Sequence, residues 1–256
     1  MLPISDDNPT VTTPWMTYSI IAATLASWFL VQGAGGDPAL VYSVCDKGMV
    51  PAELTGLRPI GYAVPIARGL DCVVDNNAIN WLTPITSIFL HGGWGHLLGN
   101  LWFFWVFGNN IEDSMGPKRF VAFYLVCGIL AALAHVISSP SSAIPTVGAS
   151  GAISGIMGAY LVLFPKARVN LLFFFVVFIK TIPVPAWVAL LWWFGWQAIS
   201  ALPALEGAGD TGGVAVWAHI GGFIAGVLLI RFFADPVMLA RRRQVHAERY
   251  PDLASS

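Results

Sequence analysis

Charged residues are scarce in this chain. Asp, Glu, Lys and Arg make up 11% of its 256 positions, against roughly 25% in an ordinary soluble domain. Hydrophobic residues make up 56%. So little charge excludes an ordinary soluble surface and indicates a membrane protein. Strong basicity is also absent, since the net charge is -1 and no long basic run occurs. We therefore expect no nucleic-acid partner.

The N-terminal segment, residues 1–14, lacks basic residues and contains Asp6 and Asp7. A secretory signal peptide begins with positive charge, so this segment does not resemble one. We therefore expect the first apolar run to remain in the protein as a helix.

Cysteine is rare as well, with three residues. Cys127 lies in an apolar run, where ordinary packing is expected. Cys45 and Cys72 lie in one long polar stretch. A disulfide between them would require that stretch to face an oxidising compartment, and two unpaired thiols are the alternative.

Apolar runs dominate what is present. Six of them approach the roughly 20 residues that a helix needs to cross a bilayer, at about 15–32, 94–111, 119–138, 150–164, 185–201 and 214–233. They predict an all-α membrane protein with one six-helix membrane domain over residues 15–233. Residues 33–93 form a long loop between helices 1 and 2, in which we expect turns and short interfacial helices. The apolar stretch 170–179 is too short to span and is predicted to be a connector lying against the domain.

Basic residues divide unevenly between the two sides that six spans create. One side holds both termini and the links after helices 2 and 4, and it receives Lys118, Arg119, Lys166, Arg168, Arg231 and Arg241, Arg242 and Arg243. The links after helices 3 and 5 contain no Lys or Arg. By the positive-inside rule, segment 1–14 and the basic tail 234–256 are expected to be cytoplasmic, and the loop 33–93 extracytoplasmic.

The fourth run is short. Its residues from Ser150 to Phe164 cover only about 22 Å at about 1.5 Å per residue. Pro165, Lys166 and Arg168 fix its far end at the cytoplasmic surface. We therefore expect Ser150 to lie below the outer surface of the membrane, where irregular backbone is tolerated only beside protein or a water-filled cavity.

Histidine within a bilayer indicates a functional site. His96 and Asn100 are four positions apart and share a helix face, which suits them to bind a developing oxyanion. Interhelical hydrogen bonds are the alternative. His91 is expected to fix the loop and His246 to be solvated. For His135 we expect packing, with a direct role as the alternative.

Ser150 and His219 are predicted to meet at similar depth. Small residues that let two helices approach closely follow both of them at helical spacing: Gly151 and Gly155 after Ser150, and Gly222 and Gly226 after His219. A neutral imidazole is a suitable general base for a serine hydroxyl. The apolar runs contain no Asp or Glu, so the pair would be a dyad. The alternative is that Ser150 is only a small packing residue.

The entry to the fourth helix supports the first interpretation. Gly148 and Ala149 give a flexible approach to Ser150. Backbone N–H groups at a helix start form an anion site, so the Ser150 amide would join Asn100 and His96 at the oxyanion.

Rival sites fit less well. A metal site of His91, His96 and His219 lacks a carboxylate and the HExxH pattern, so neither a metal nor a cofactor is expected. Gly207-Ala208-Gly209-Asp210 imitates the GxGD motif of membrane aspartyl proteases but lacks a second intramembrane aspartate and is typical of a turn. The esterase elbow GxSxG is not met, because Ala152 occupies its last position.

Four motifs, in order, resemble the rhomboid family of intramembrane serine proteases over about residues 81–233. They are HGGWGHLLGN at 91–100, EDSMG at 112–116, VGASGAISG at 147–155 and AHIGGFIAG at 218–226. The resemblance implies a six-helix rhomboid-type bundle, with Ser150 as nucleophile and His219 as its base. It places Asn100, His96 and the Ser150 amide at the oxyanion. It also implies single-span membrane proteins as substrates, and a lateral gate at helix 5.

Two departures accompany the resemblance. Ser154 stands where some family members carry a tyrosine that stacks on the histidine, so His219 must be oriented in another way. Trp81-Leu82-Thr83 stands near the place of a common Trp-Arg pair in the first loop.

The sequence thus predicts an intramembrane serine endopeptidase that uses a Ser150–His219 dyad on transmembrane proteins, in contact with membrane lipid. The alternatives are an inactive rhomboid-like binding protein and, third, a transporter or channel. We expect a bacterial plasma membrane with both termini cytoplasmic. The substrate, its cleavage site and the oligomeric state are left open.

Overall fold

The chain is mainly helical. A computed structural model describes residues 2–67, 69–175, 178–205 and 215–249. Six long helices lie on the six predicted apolar runs: α1 (Trp15–Leu30), α5 (Trp94–Met115), α6 (Pro117–Ser138), α7 (Ser150–Leu163), α8 (Ala186–Leu205) and α9 (Val216–Phe233). The short helices are α2 (Ala39–Lys47), α3 (Pro51–Thr55), α4 (Thr83–Thr86) and, after the last long one, α10 (Pro236–Arg249). The predicted start of the last run, residue 214, lies outside the described residues.

Two helices in the described part of the chain are long and apolar enough to cross a membrane, namely Pro117–Ser138 and Val216–Phe233. Trp15–Leu30 and Ser150–Leu163 are shorter apolar helices. The predicted helices are therefore in place, whereas six crossings of the membrane stay a prediction.

The outer surface of these helices is apolar. Leu30 is 84% exposed, Ile137 71%, Phe232 75% and Trp192 63%. These four side chains come from four different helices. Exposed large apolar side chains on several helices are expected where a protein contacts lipid, and a membrane environment accounts for them.

The described residues also form five strands, which the all-α prediction missed. In one sheet β1 (Leu2–Asp6) pairs with β4 (Arg168–Phe175), which pairs with β5 (Phe178–Pro185), all antiparallel. The stretch 170–179, predicted to be a connector, thus contains most of β4 and the first residues of β5. A short apolar run has no period that separates strand from helix, and the pairing with β1 joins residues far apart in sequence.

Regular structure occurs in the described part of segment 33–93, which was predicted to be a loop. It contains α2, α3 and α4 together with an antiparallel hairpin of β2 (Ala63–Ala67) and β3 (Leu70–Val73). Met49 and Thr146 exchange two backbone hydrogen bonds of 3.0 and 2.8 Å. The loop is thereby attached to the segment that leads into α7.

A disulfide joins Cys45 of α2 to Cys72 of β3. Of the two alternatives left by the sequence, the structure selects the bonded one. Cys127 is a free, buried thiol on α6.

The disulfide is expected to stabilise the loop measurably. The two cysteines are 27 positions apart, and closing a loop of that length is worth about 3 to 4 kcal/mol in the chain-entropy model. Reductant should lower the thermal unfolding temperature of the wild type in detergent. It should leave the double variant Cys45→Ala/Cys72→Ala unchanged. An equal response of the two proteins would contradict the bond.

Both acidic residues of the EDSMG motif have structural partners. Glu112 accepts hydrogen bonds from the backbone N–H of Met16 (2.9 Å) and of Thr17 (2.7 Å), at the N-terminus of α1. A carboxylate there satisfies N–H groups that lack helical acceptors and complements the helix dipole. Asp113 is buried and pairs with Arg242 of α10, which is 4% exposed.

Arg242 also binds the N-terminal segment. Its guanidinium donates to the side-chain oxygens of Asn8 and Asn110, both at 2.6 Å. Nearby, the Tyr160 hydroxyl of α7 donates to Asp6 at 2.5 Å. Burial raises the pKa of the Asp6 carboxyl to about 6. The two terminal segments are therefore joined to the helical bundle by one buried polar cluster.

Loss of Arg242 is expected to destabilise the fold strongly. Breaking a buried ion pair by removing one partner costs about 3 to 5 kcal/mol, because the other charge stays buried without compensation. Arg242→Met should therefore lower the unfolding temperature in detergent, and the neighbouring exposed Arg241→Met is the matched control. Replacing Asp113 by Asn as well should restore part of the loss, because it removes the uncompensated charge while an amide oxygen can still accept from the backbone of the N-terminal segment. Identical melting of the two single variants would refute this role.

Candidate active site

Helix α7 touches α9 backbone to backbone. A Cβ atom added to Gly222 would lie 2.0 Å from the carbonyl oxygen of Gly151, and one added to Gly226 would lie 1.9 Å from that of Gly155. No side chain fits in such a gap. The two glycine pairs predicted from the sequence are thus brought together along one line of contact.

On its other side α7 packs equally closely against α6. A Cβ atom on Gly151 would lie 2.6 Å from the Cβ of Ala131, and one on Gly155 would lie 2.5 Å from the Cβ of Cys127. Helix α7 is therefore held between α6 and α9, and its first residue, Ser150, is fixed with it.

Gly226→Ala should disrupt this arrangement. Ala is favoured over Gly in a helix by about 1 kcal/mol, yet overpacking costs typically about 1 to 3 kcal/mol and occasionally more. The variant should therefore melt at a lower temperature than the wild type. Gly195→Ala on α8 is the matched control, since a Cβ there meets nothing within 4 Å. It should melt at the same or a higher temperature. A Gly226→Ala protein as stable as the control would contradict the close contact.

The side chains of Ser150 and His219 are in hydrogen-bond contact. The Ser150 Oγ lies 2.7 Å from the Nε2 of His219. His219 is 8% exposed and lies in the first turn of α9. The distance is that of a serine and a base between which a proton can pass.

The other side of the His219 ring is covered by α8. Its Nδ1 lies 2.9 Å from the Oε1 of Gln197, and its ring centroid lies 5.9 Å from that of Trp193. Sequence reasoning missed both residues, although a lone amide within the apolar run 185–201 was a usable signal. Ser154, at the position of the family's tyrosine, donates to the Ser150 carbonyl at 2.6 Å.

The segment before Ser150 brings His96 close. Gly148 has φ +127°, and a Cβ there would lie 2.7 Å from the Nε2 of His96. Its N–H donates to the carbonyl of Ser87 at 2.9 Å. Only glycine combines this backbone conformation with this contact, so Gly148 positions the loop against the imidazole.

The amide of Asn100 is available for a ligand. Its Nδ2 is buried and has no hydrogen-bond partner, which is costly unless a bound group completes it. Asn100, His96, Ser150 and His219 line one cavity of about 640 Å³. The structure thus gathers the four side chains predicted to carry the site.

The remaining histidines differ in position. His91 is fully buried, exchanges hydrogen bonds through its backbone with the Gln32 amide (2.8 and 2.9 Å) and packs its ring 5.1 Å from that of His96. His135 lines the cavity. On the C-terminal tail, the Nε2 of His246 lies 2.7 Å from the carbonyl oxygen of Pro9. Its predicted solvation is therefore incomplete.

Neither rival site gains support. In the part of the chain that the structure describes, no group of three or more His, Cys, Asp or Glu side chains is placed to hold a metal ion. Gly207-Ala208-Gly209-Asp210 lies outside the described residues.

The comparison with known proteins agrees with the motifs. The family model of the Rhomboid domain matches residues 79–236, and the chain belongs to the rhomboid family. The predicted family is therefore confirmed.

Named relatives come from several organisms. Rhomboid protein 1, mitochondrial, of Saccharomyces cerevisiae is 32% identical over 170 residues, which are 65% of this chain and 46% of that protein. Rhomboid protease GluP of Bacillus subtilis is 33% identical over 220 residues, 84% of this chain and 35% of the relative. Putative rhomboid protease YdcA of Bacillus subtilis is 35% identical over 101 residues, 40% of this chain and 45% of the relative. The chain spans less than half the length of each.

Proposed function

We propose that this protein is a serine endopeptidase that hydrolyses peptide bonds in or near transmembrane segments of membrane proteins. The observation that carries the proposal is the 2.7 Å contact between Ser150 Oγ and His219 Nε2 in a cavity that Asn100, with its unpartnered amide, also lines. Membership of a family whose named members include proteases supports it.

The proposed reaction begins with proton transfer. His219 Nε2 takes the hydroxyl proton of Ser150 as Oγ attacks the carbonyl carbon of the substrate. The resulting oxyanion is bound by the Asn100 amide, His96 and the backbone N–H of Ser150. His219 then returns the proton to the leaving amine as the C–N bond breaks. A water molecule hydrolyses the acyl-enzyme by the same steps and regenerates Ser150.

A membrane topology with six spans fits this chemistry. In it, residues 15–233 form the membrane domain, and segment 1–14 and tail 234–256 lie in the cytoplasm. The Cys45–Cys72 disulfide supports this orientation, because disulfides persist in oxidising compartments and the proposed topology has the loop 33–93 on the side opposite the termini. A bacterial plasma membrane stays a prediction, since a mitochondrial protein is among the relatives.

Substrates are proposed to be transmembrane proteins that reach the cavity from the lipid. Helix α8 bounds the cavity through Trp193 and Gln197, while Trp192 and Trp196 on the adjacent face of the helix are exposed. A substrate segment approaching within the bilayer would meet this helix.

Cleavage should depend on both members of the dyad. Ser150→Ala and His219→Ala should abolish hydrolysis of a labelled single-span substrate by the purified protein in detergent, because nucleophile or base is lost. Asn100→Ala should lower kcat about 100- to 1000-fold, the usual cost of one oxyanion donor. Ser19→Ala is the control, since that serine is exposed on α1 and bonds only its own helix.

Two results would change the conclusion. Undiminished cleavage by Ser150→Ala or His219→Ala would overturn the mechanism. If none of the proteins cleaves the substrate but all still bind it, the alternative of an inactive rhomboid-like binding protein is favoured. EDTA is expected to leave the rate of cleavage unchanged. Inhibition by EDTA would instead support a metal-dependent mechanism.

A further inference from the structure

We propose that Gln197 is a positioning residue that holds His219 in the tautomer needed to deprotonate Ser150. This inference rests on the proposed function. It names the residue that orients His219, which none of the four sequence motifs supplies. It starts from two contacts on one ring: Ser150 Oγ at 2.7 Å from Nε2, and Gln197 Oε1 at 2.9 Å from Nδ1.

The two contacts are compatible with one arrangement of the imidazole proton. A neutral imidazole carries its hydrogen on one nitrogen and a lone pair on the other. For Nε2 to accept the serine proton, the hydrogen must be on Nδ1. An amide oxygen can only accept, so Gln197 Oε1 binds the Nδ1–H form and disfavours the other. The acceptor therefore selects the reactive tautomer of His219.

An amide suits this position better than a carboxylate does. Gln197 is half-buried in an apolar helix, next to the Trp193 ring. An ionised carboxylate at membrane depth is costly, whereas a neutral amide supplies the same acceptor without a charge. Gln197 thus provides the orienting contact that a third, acidic residue gives in soluble serine hydrolases.

Trp193 and Gln197, which both contact the His219 ring, belong to α8. Trp193 and Gln197 are four positions apart, so they share a helix face, and that face also packs on Phe223 of α9 through Trp193 at 6.1 Å. Ser150 and His219 instead lie on α7 and α9, which are joined by the glycine contacts. The base is therefore fully oriented only while α8 is packed against α9.

The test compares two substitutions of opposite character. Gln197→Met keeps the length of the side chain but removes the terminal acceptor, so kcat should fall about 10- to 100-fold while KM stays within about two-fold. Gln197→Glu keeps an acceptor and should retain more activity than the Met variant. A merely structural role predicts the reverse order, with apolar Met tolerated and charged Glu disruptive. Gln244→Met, an exposed glutamine on α10, is the matched control.

A measurement that needs no proteolysis separates this inference from the proposed function. The ¹⁵N resonances of the five histidines show which ring nitrogen carries hydrogen, and substituting His219 identifies its own signals. The wild type in detergent should carry the proton of His219 on Nδ1, and Gln197→Met should shift the population toward Nε2. This result stands even if no substrate is cut. A wild-type proton on Nε2, or equal kcat of the wild type and the Met variant, overturns the inference.

Discussion

The contact between the backbones of α7 and α9 is the constraint on which the candidate site depends. In lipid, helices associate through packing and hydrogen bonding rather than through a hydrophobic force, so close approach requires residues without side chains. Gly222 meets the Gly151 carbonyl, and that point lies beside both Ser150 and His219. Gly151 follows Ser150 directly, and Gly222 is three residues after His219. The same contact therefore packs the helices and sets the distance between the two side chains.

The remaining parts of the site are attached to this pair in different ways. The loop carrying Gly148 is tied by backbone hydrogen bonds to Ser87 and, through Thr146, to Met49. These bonds do not depend on lipid. Gln197 and Trp193 belong to a helix whose outer face is apolar and exposed. Ser150 is thus held by the closely packed helices α6, α7 and α9, and the orientation of His219 depends on a peripheral helix.

Much of this could be predicted from the sequence, because membrane helices leave a simple signal. The apolar runs predicted where the six long helices lie, and glycines at helical spacing predicted that Ser150 and His219 approach each other. The strands could not be predicted in this way. Leu2 pairs with Leu172, and only the folded chain brings two such distant segments together. The pairing of Gln197 with His219 was missed for a different reason. Which residue faces the Nδ1 of His219 can be known only when the orientation of that ring is known.

The polar cluster at the termini has a consequence for the order of events during synthesis. Asp113 belongs to the second long helix, whereas its partner Arg242 follows 129 positions later. A chain made from its N-terminus must carry that carboxylate through the synthesis of four further long helices before the guanidinium exists. The N-terminal segment waits longer still, since Asn8, which Arg242 also binds, lies 234 positions before it. The polar cluster can therefore form only late in synthesis. A chain released early from the ribosome would lack the ion pair between Asp113 and Arg242.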